Sequence, residues 1–296
     1  MGILLPIVSW SDRRSKSNYA SFQSLQALGY QSLGYTVWIL SYLVAILIAL
    51  IVLVAMSFQA ERSGRNFGTF LGSGTIILFI VVFGFFAIYF LLPIIAAIAC
   101  AFGKDFRYPI MGDRLARYLD YDSTQKSEDQ VGLNEDREFR WVAAMGHFSI
   151  LIMLWGMLAP LTTWILYGKR SLFLKFQSIQ TLIYQAGTTS LYFVGGFIYL
   201  FGFLFLMVGM GVGGRPNFNS SEGMFGMIVF GLSLLISLVL LLLVPLLHIL
   251  GQWAGYRILK GDNFHYPLIG KLVERWIANN ILPTEDGSLS LKGESS

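Results

Sequence analysis

One pattern occurs twice in this chain, at constant spacing and without a gap. Pro6, Trp10, Phe22, Gln23, Ser24, Gln26, Leu28 and Gln31 return as Pro160, Trp164, Phe176, Gln177, Ser178, Gln180, Leu182 and Gln185. Each copy then runs through two long apolar stretches. Each closes on a related tail, Gly103 to Pro109 and Gly261 to Pro267, both ending Tyr-Pro. A duplicated hydrophobic unit packs against its own copy, and sites in such molecules lie where the copies meet. The expected fold class is an all-α integral membrane protein of two pseudo-symmetric repeats. Each repeat holds two long transmembrane helices, an amphipathic interfacial helix and a short hairpin, truncated in repeat 1.

The charge distribution places the unit in a bilayer. The chain is 55% hydrophobic and 13% charged, with mean hydropathy +0.63, whereas soluble domains carry about 25% charged residues. No Asp, Glu, Lys or Arg occurs from Phe67 to Gly103, from Phe176 to Gly214 or from Gly223 to Tyr256. Crossing a hydrocarbon core of ~30 Å takes about 20 residues of helix, so each run is long enough. The net charge of +4 is modest, and the basic residues flank the apolar runs. That suits anionic headgroups and no nucleic acid. Cys100 is the only cysteine, which excludes an intrachain disulfide and a thiolate metal site. The first residues hold no charge before their short apolar stretch and no small-residue cleavage site, unlike a signal peptide.

Along the chain, residues 1–119 read as membrane repeat 1 and 139–278 as the complete repeat 2. Between them, 120–138 reads as a flexible linker with seven acidic residues, and 279–296 as a polar tail. Ser17 to Gln31 carries Tyr19, Phe22, Leu25 and Leu28 at helical spacing and reads as an interfacial helix or one docked on the bundle. Long spans are expected over 34–58, 70–102, about 186–211 and 224–257.

Charge decides how residues 139–167 behave. A single crossing there divides the flanking Lys and Arg 11 to 9, almost without bias. A hairpin of about 141–155 and 158–167, bent at Gly156 and Pro160, divides them 17 to 3. The positive-inside rule prefers the hairpin, with the basic loops and the C-terminus cytoplasmic. Residues 2–10 are then the second arm of the same hairpin in repeat 1.

His147-Phe-Ser149, Pro160-Leu-Thr-Thr-Trp164, Lys169-Arg170, Phe176-x-x-x-Gln180-x-Leu182-x-x-Gln185, and then Gly261 with Tyr266-Pro267, occur in this order. Together they resemble a bacterial membrane-domain family of unknown function, related to the channel component of the chloroplast inner-envelope protein translocon (Tic). The resemblance covers residues 139–276, and 4–118 apart from the first arm. It implies a module of two short and two long helices in a bacterial inner membrane and, by analogy of fold, protein conduction. The family's histidine after the phenylalanine and its lysine before the central glutamine are replaced by Gln177 and Ile179, and in repeat 1 by Gln23 and Leu25.

The polar residues define the candidate sites. Gln23, Gln26 and Gln31 share one helical face, as do Gln177, Gln180 and Gln185. Across a two-fold axis the two faces either line a polar seam or hydrogen-bond within the bundle. His147 and His248 are the ionisable groups inside apolar runs, hence functional candidates beside a structural role. Tyr108, Pro109, Tyr266 and Pro267 are expected as interfacial anchors. Gly209 to Gly214 superficially resembles a phosphate loop, but no strand precedes it and no Lys-Ser or Lys-Thr follows.

No span holds a charged side chain, and no paired carboxylates or nucleophile–base pattern is present. The expectation is therefore no enzyme, no cofactor and no metal. The expected function is a scaffold or accessory subunit of a membrane assembly, with the lipid bilayer and other membrane proteins as partners. The alternatives are a protein-translocation or channel component, or a small-molecule or lipid transporter whose helices break near Pro93 and Pro245.

Overall fold

A computed structural model describes residues 2–63, 67–122, 133–210 and 220–281, and every regular element among them is helical. Repeat 1 contains α1 (Leu4–Arg13), α2 (Asn18–Ser63), α3 (Phe67–Ala101) and α4 (Met111–Leu119). Repeat 2 contains α5 (Glu135–Phe148), a 3-10 stretch Ser149–Trp155, α6 (Leu158–Tyr167), α7 (Leu172–Gly209), α8 (Ser221–Leu259) and α9 (Ile269–Ile281).

The amphipathic segment of each repeat is the first part of a long helix rather than a separate one. α2 has 46 residues and passes through Gly34; α7 has 38 and passes through Gly187. A mid-helix glycine costs about 1 kcal/mol, less than breaking the backbone ladder where lipid supplies no partners. At 1.5 Å per residue α2 extends over ~69 Å, more than twice the hydrocarbon core. Its first four turns therefore project out of the core and dock on the bundle. There Phe22, Leu25 and Leu28 are fully buried among Leu115, Leu119, Trp141 and Val142.

α5, the 3-10 stretch and α6 form the hairpin that the charge count favoured. Asn134 caps α5 by accepting from the Arg137 N–H, and Glu135, Asp136 and Glu138 occupy its first turn. The chain then reverses. Met153 takes φ 52°, and the Ser149 hydroxyl lies 2.7 and 2.8 Å from the carbonyls of Gly146 and Gly156. A Cβ on Gly156 would stand 2.0 Å from the Ser149 carbonyl oxygen, so only glycine fits there. Gly146 consequently faces Pro160 across the bend. In repeat 1, α1 takes the place of α6, and the two short arms meet where Trp10 stacks on Tyr167 at 4.7 Å.

The long helices differ between repeats in how closely they pair. α7 and α8 approach through small residues: Gly202 lies on Ser233, Gly226 on the Phe205 carbonyl, and the Ser237 hydroxyl donates to the Gly195 carbonyl at 2.9 Å. α2 and α3 instead meet through rings, with Tyr30 on Tyr89 and Trp38 on Phe86, and a Cβ on Gly84 would meet no atom of the described residues within 4 Å. Asn18–Val52, α7 and α8 are long and apolar enough to cross a membrane, and their outward faces are exposed leucine, isoleucine, valine and phenylalanine. Pro93 and Pro245 sit inside continuous helices rather than at breaks.

The acidic segment divides differently from the sequence reading. α4 ends at Leu119 with Asp120 as its C-cap, and α5 already begins at Glu135, so the end of the supposed linker is helix. Residues 123–132 lie outside the described residues, as do parts of the loops expected near 59–69 and 213–222, Gly211 to Gly214 of the glycine-rich stretch, and the tail from 282.

Candidate functional site

Each repeat carries the same polar clamp, built from its long helix and its Tyr-Pro tail. α3 and α8 both end on glycines with positive φ, Gly103 at 71° and Gly261 at 102°. These turn the chain back along the long helix of the same repeat. In repeat 1 the Gln26 amide donates to the Phe106 carbonyl at 2.9 Å and accepts from the Tyr108 N–H at 2.8 Å. In repeat 2 Gln180 donates to the Phe264 carbonyl at 2.8 Å and accepts from the Tyr266 N–H at 3.2 Å. Both glutamines are fully buried, and each amide satisfies one tail donor and one acceptor.

The tail tyrosines complete the clamp. Tyr108 stacks on Tyr30 at 4.4 Å and Tyr266 on Tyr184 at 3.8 Å. The Tyr30 and Tyr184 hydroxyls then donate to the carbonyls of Tyr89 and Leu247 at 3.1 and 2.8 Å. Tyr108 and Tyr266 are therefore not headgroup anchors: only 5% and 2% exposed, they pack into the protein, and burial pushes the Tyr266 hydroxyl well above its ordinary value. Pro109 and Pro267 remain at the surface. Next to them Ile110 and Leu268 take φ 67° and 65°. The Met111 and Ile269 N–H groups bond the Pro109 and Pro267 carbonyls, closing a strained three-residue turn in both repeats. That turn displays Ile110 and Leu268 at 81% and 80% exposure.

The six glutamines do not line a common seam. Gln23 donates to Asp105 and the Phe106 carbonyl, and Gln177 to the Phe264 carbonyl, so both reinforce the clamp of their own repeat. Gln185 donates to the Gly146 carbonyl at 2.7 Å and holds the hairpin arm. Gln31 makes no such bond among the described residues, and its Oε1, like that of Gln185, is buried without a hydrogen bond among them.

His147 is fully buried and belongs to repeat 2 alone. Its Nδ1 lies 2.9 Å from the Tyr266 hydroxyl and its Nε2 3.2 Å from Gln177 Oε1. A neutral imidazole with its proton on Nε2 satisfies both contacts, since the tyrosine hydroxyl donates and the amide oxygen accepts. Thr181 lies against the same ring at 2.9 Å. His248 bonds the Val244 carbonyl one turn back in its own helix. Among the described residues no three His, Cys, Asp or Glu side chains are grouped as metal ligands.

The two repeats are latched by a carboxylate that the sequence reading assigned to the linker. Glu138 is 2% exposed. It accepts from the Trp10 indole N–H at 3.1 Å and the Ser21 hydroxyl at 2.8 Å, and pairs with Arg14 at 3.0 Å. The Arg14 guanidinium packs over Phe139 at 4.6 Å. Burial raises the Glu138 pKa above the usual carboxylate value, opposed by these partners. Nearby, the Trp141 indole donates to the Leu25 carbonyl at 2.9 Å. The signal for this latch was present as an acid one turn before a tryptophan at the start of an apolar run.

A protein-family model matches the chain over residues 1–115 and 138–273. It is that of the magnetosome magnetite crystal formation proteins, MamF and MmsF. The chain belongs to this magnetosome family. No curated protein and no solved structure matches it. In this family member both matched stretches contain a whole clamp, and the second begins at the latch residue Glu138. Its nature as a bacterial membrane protein agrees with the apolar helices.

Proposed function

We propose that this chain is a non-catalytic structural subunit of the magnetosome membrane, acting with other membrane proteins in magnetite crystal formation. The observation that supports it is where the buried polar groups go. The Gln26 and Gln180 amides hold the chain's own tails, and His147 and Glu138 hold repeat 2 to its tail and to repeat 1. What the molecule turns outward is a long apolar flank suited to lipid and to neighbouring helices. Mineral is cargo on this reading, not something bound by a resident metal site. Basic loops and the C-terminus face the cytoplasm, as their charge favours.

Conduction, which the translocon resemblance implied, would need glutamine amides facing water across the repeat interface. Transport would need helices broken at Pro93 and Pro245. The clamps and the continuous helices count against both.

The test is to isolate the tagged full chain in mild detergent from membranes of a mineral-forming host. The reading expects it in the fraction that encloses the crystals, in an assembly larger than the 33.1 kDa monomer. Recovery only as a free monomer of the general inner membrane contradicts it.

A further inference from the structure

We infer that each Tyr-Pro tail is a re-entrant loop, and that the residues at its apex, Ile110 and Leu268, sit among the first acyl carbons of the phospholipid leaflet on the side of the basic loops. The inference rests on the membrane spans and stands apart from the proposed role in an assembly.

In repeat 1 the tail climbs α2 toward its apolar span. The Tyr19 hydroxyl donates to the Lys104 carbonyl at 3.0 Å, Gln23 donates to the Phe106 carbonyl at 3.0 Å, and Tyr108 stacks on Tyr30. From Tyr19 to Tyr30 is about 16 Å of helix. Past the apex the chain descends again: Met111 lies against Gly29, and Tyr121 stacks on Phe22 at 4.0 Å. Repeat 2 traces the same loop. Phe264 meets Gln177 and Gln180, Tyr266 meets Tyr184, and on the return Trp276 lies under Lys175. Each apex is therefore the part of its loop nearest the bilayer core. The hydroxyls of Tyr30 and Tyr184 reach Tyr89 and Leu247, about three turns inside the ends of α3 and α8. Exposed Ile88 and Phe90 flank the first carbonyl, and exposed Leu246 and Ile249 the second.

The apex is closed as a turn beside lipid has to be. Pro109 and Pro267 bring no N–H. The Met111 and Ile269 N–H groups bond the proline carbonyls, and those of Gly112 and Gly270 bond the carbonyls of Tyr108 and Tyr266. The glutamine clamps take the tyrosine N–H groups. In water solvent would serve these groups and a relaxed turn would do. Where lipid supplies no partner, closing them outweighs the strain of positive φ. Glycine would hold that φ without cost, yet both repeats place a branched aliphatic there, four-fifths exposed. A side chain held outward under strain in both copies calls for an apolar medium around it.

The nearby charges fit the same depth. Asp113, three residues past the apex of repeat 1, is neutralised by Arg107 at 2.9 Å. Lys271 takes its place in repeat 2 and is long enough to reach the headgroups. Arg117 and Arg275 share one position of the repeat and stand exposed two turns past the apex. Phosphates lie there when the apex is just beneath the headgroups.

Spin-label accessibility tests this on the purified full chain in phosphatidylcholine nanodiscs. In a Cys100→Ala background, single cysteines replace Ile110, Leu268, Lys104 or Arg117, and each carries a nitroxide. Collisions with lipid-soluble oxygen and with a water-soluble nickel chelate are compared. The expected result is that oxygen exceeds nickel severalfold at 110 and 268, and that the order reverses at 104 and 117. The same label at Lys104 shows that the nitroxide does not seek lipid by itself. Both apex side chains are exposed, so the labelled variants should keep the thermal midpoint of Cys100→Ala. If a label disturbs the turn, cysteines replacing the neighbouring Pro109 and Pro267 read the same depth. Nickel access at either apex equal to that at Lys104 means a turn in water and overturns the proposal. Protection from both reagents means that protein, either this chain or a second copy, covers the apex, and overturns it too.

Discussion

At the scale of single residues, the most consequential groups are two amides and one carboxylate. Gln26 and Gln180 each satisfy a buried carbonyl and a buried N–H of a tail. Gln180→Leu keeps the volume but leaves both groups unpaired, at a cost on the order of 3 kcal/mol. A lowered thermal midpoint in detergent and faster proteolysis after Gly261 would show it, and Gln26→Leu should do the same after Gly103. Glu138 is a different case, because its pKa is raised in the folded protein. Its contribution is fully present below the unfolded value of about 4.5 and is lost as pH rises through the higher folded value. Glu138→Gln mimics the protonated form and keeps an acceptor for Trp10 and Ser21. It should hold stability at neutral pH within about 1 kcal/mol and flatten this part of the pH profile. Glu138→Ala leaves Arg14 without its buried partner and should cost about 3 kcal/mol. Equal losses for the two variants would contradict this account.

At the scale of elements, the strained turns and the helix pairs make separate predictions. Ile110 and Leu268 hold positive φ as branched residues, so Ile110→Gly should stabilise repeat 1 by about 1 kcal/mol, read as a higher thermal midpoint. The α7–α8 contact leaves no room at Gly202, where a Cβ would stand 2.3 Å from Ser233. Gly202→Leu should therefore separate those helices and lower stability by several kcal/mol, while Gly84→Leu, where a Cβ meets no described atom within 4 Å, should be nearly silent. Much of this level was legible in the sequence. Absence of charge delimited the spans, and the Lys and Arg balance chose the hairpin of α5 and α6. The clamp was half legible. Repetition singled out Gln26, Gln180 and the Tyr-Pro tails, but spacing along one helix says nothing about a loop some 80 residues away. The amides therefore read equally well as a seam. Glu138 was missed because composition assigned it to an acidic linker, although a cap and three acids already marked a helix start.

At the scale of the whole molecule, duplication gives two clamps around one latch, but the copies are not equivalent. Repeat 2 is closed by its hairpin, by His147 and by close α7–α8 packing. Repeat 1 lacks a described counterpart of α5, and its long helices meet mainly through rings. The molecule is thus a pseudo-dimer of two unequal halves. A buried inter-repeat carboxylate ties the halves together, since Trp10, Arg14 and Ser21 of repeat 1 all bond Glu138 of repeat 2.

The central claim is that the repeated glutamines fasten the tails rather than face a water path. The direct measurement replaces Cys100 with alanine and places single cysteines at Gln26, Gln180 and the exposed Lys104. A membrane-impermeant maleimide is then applied from each side of sealed vesicles. The account predicts strong labelling at Lys104 from one side and none at Gln26 or Gln180 from either, until mild denaturation frees the tails. Labelling of the two glutamine positions in the native protein from both sides would contradict it and restore a conducting seam.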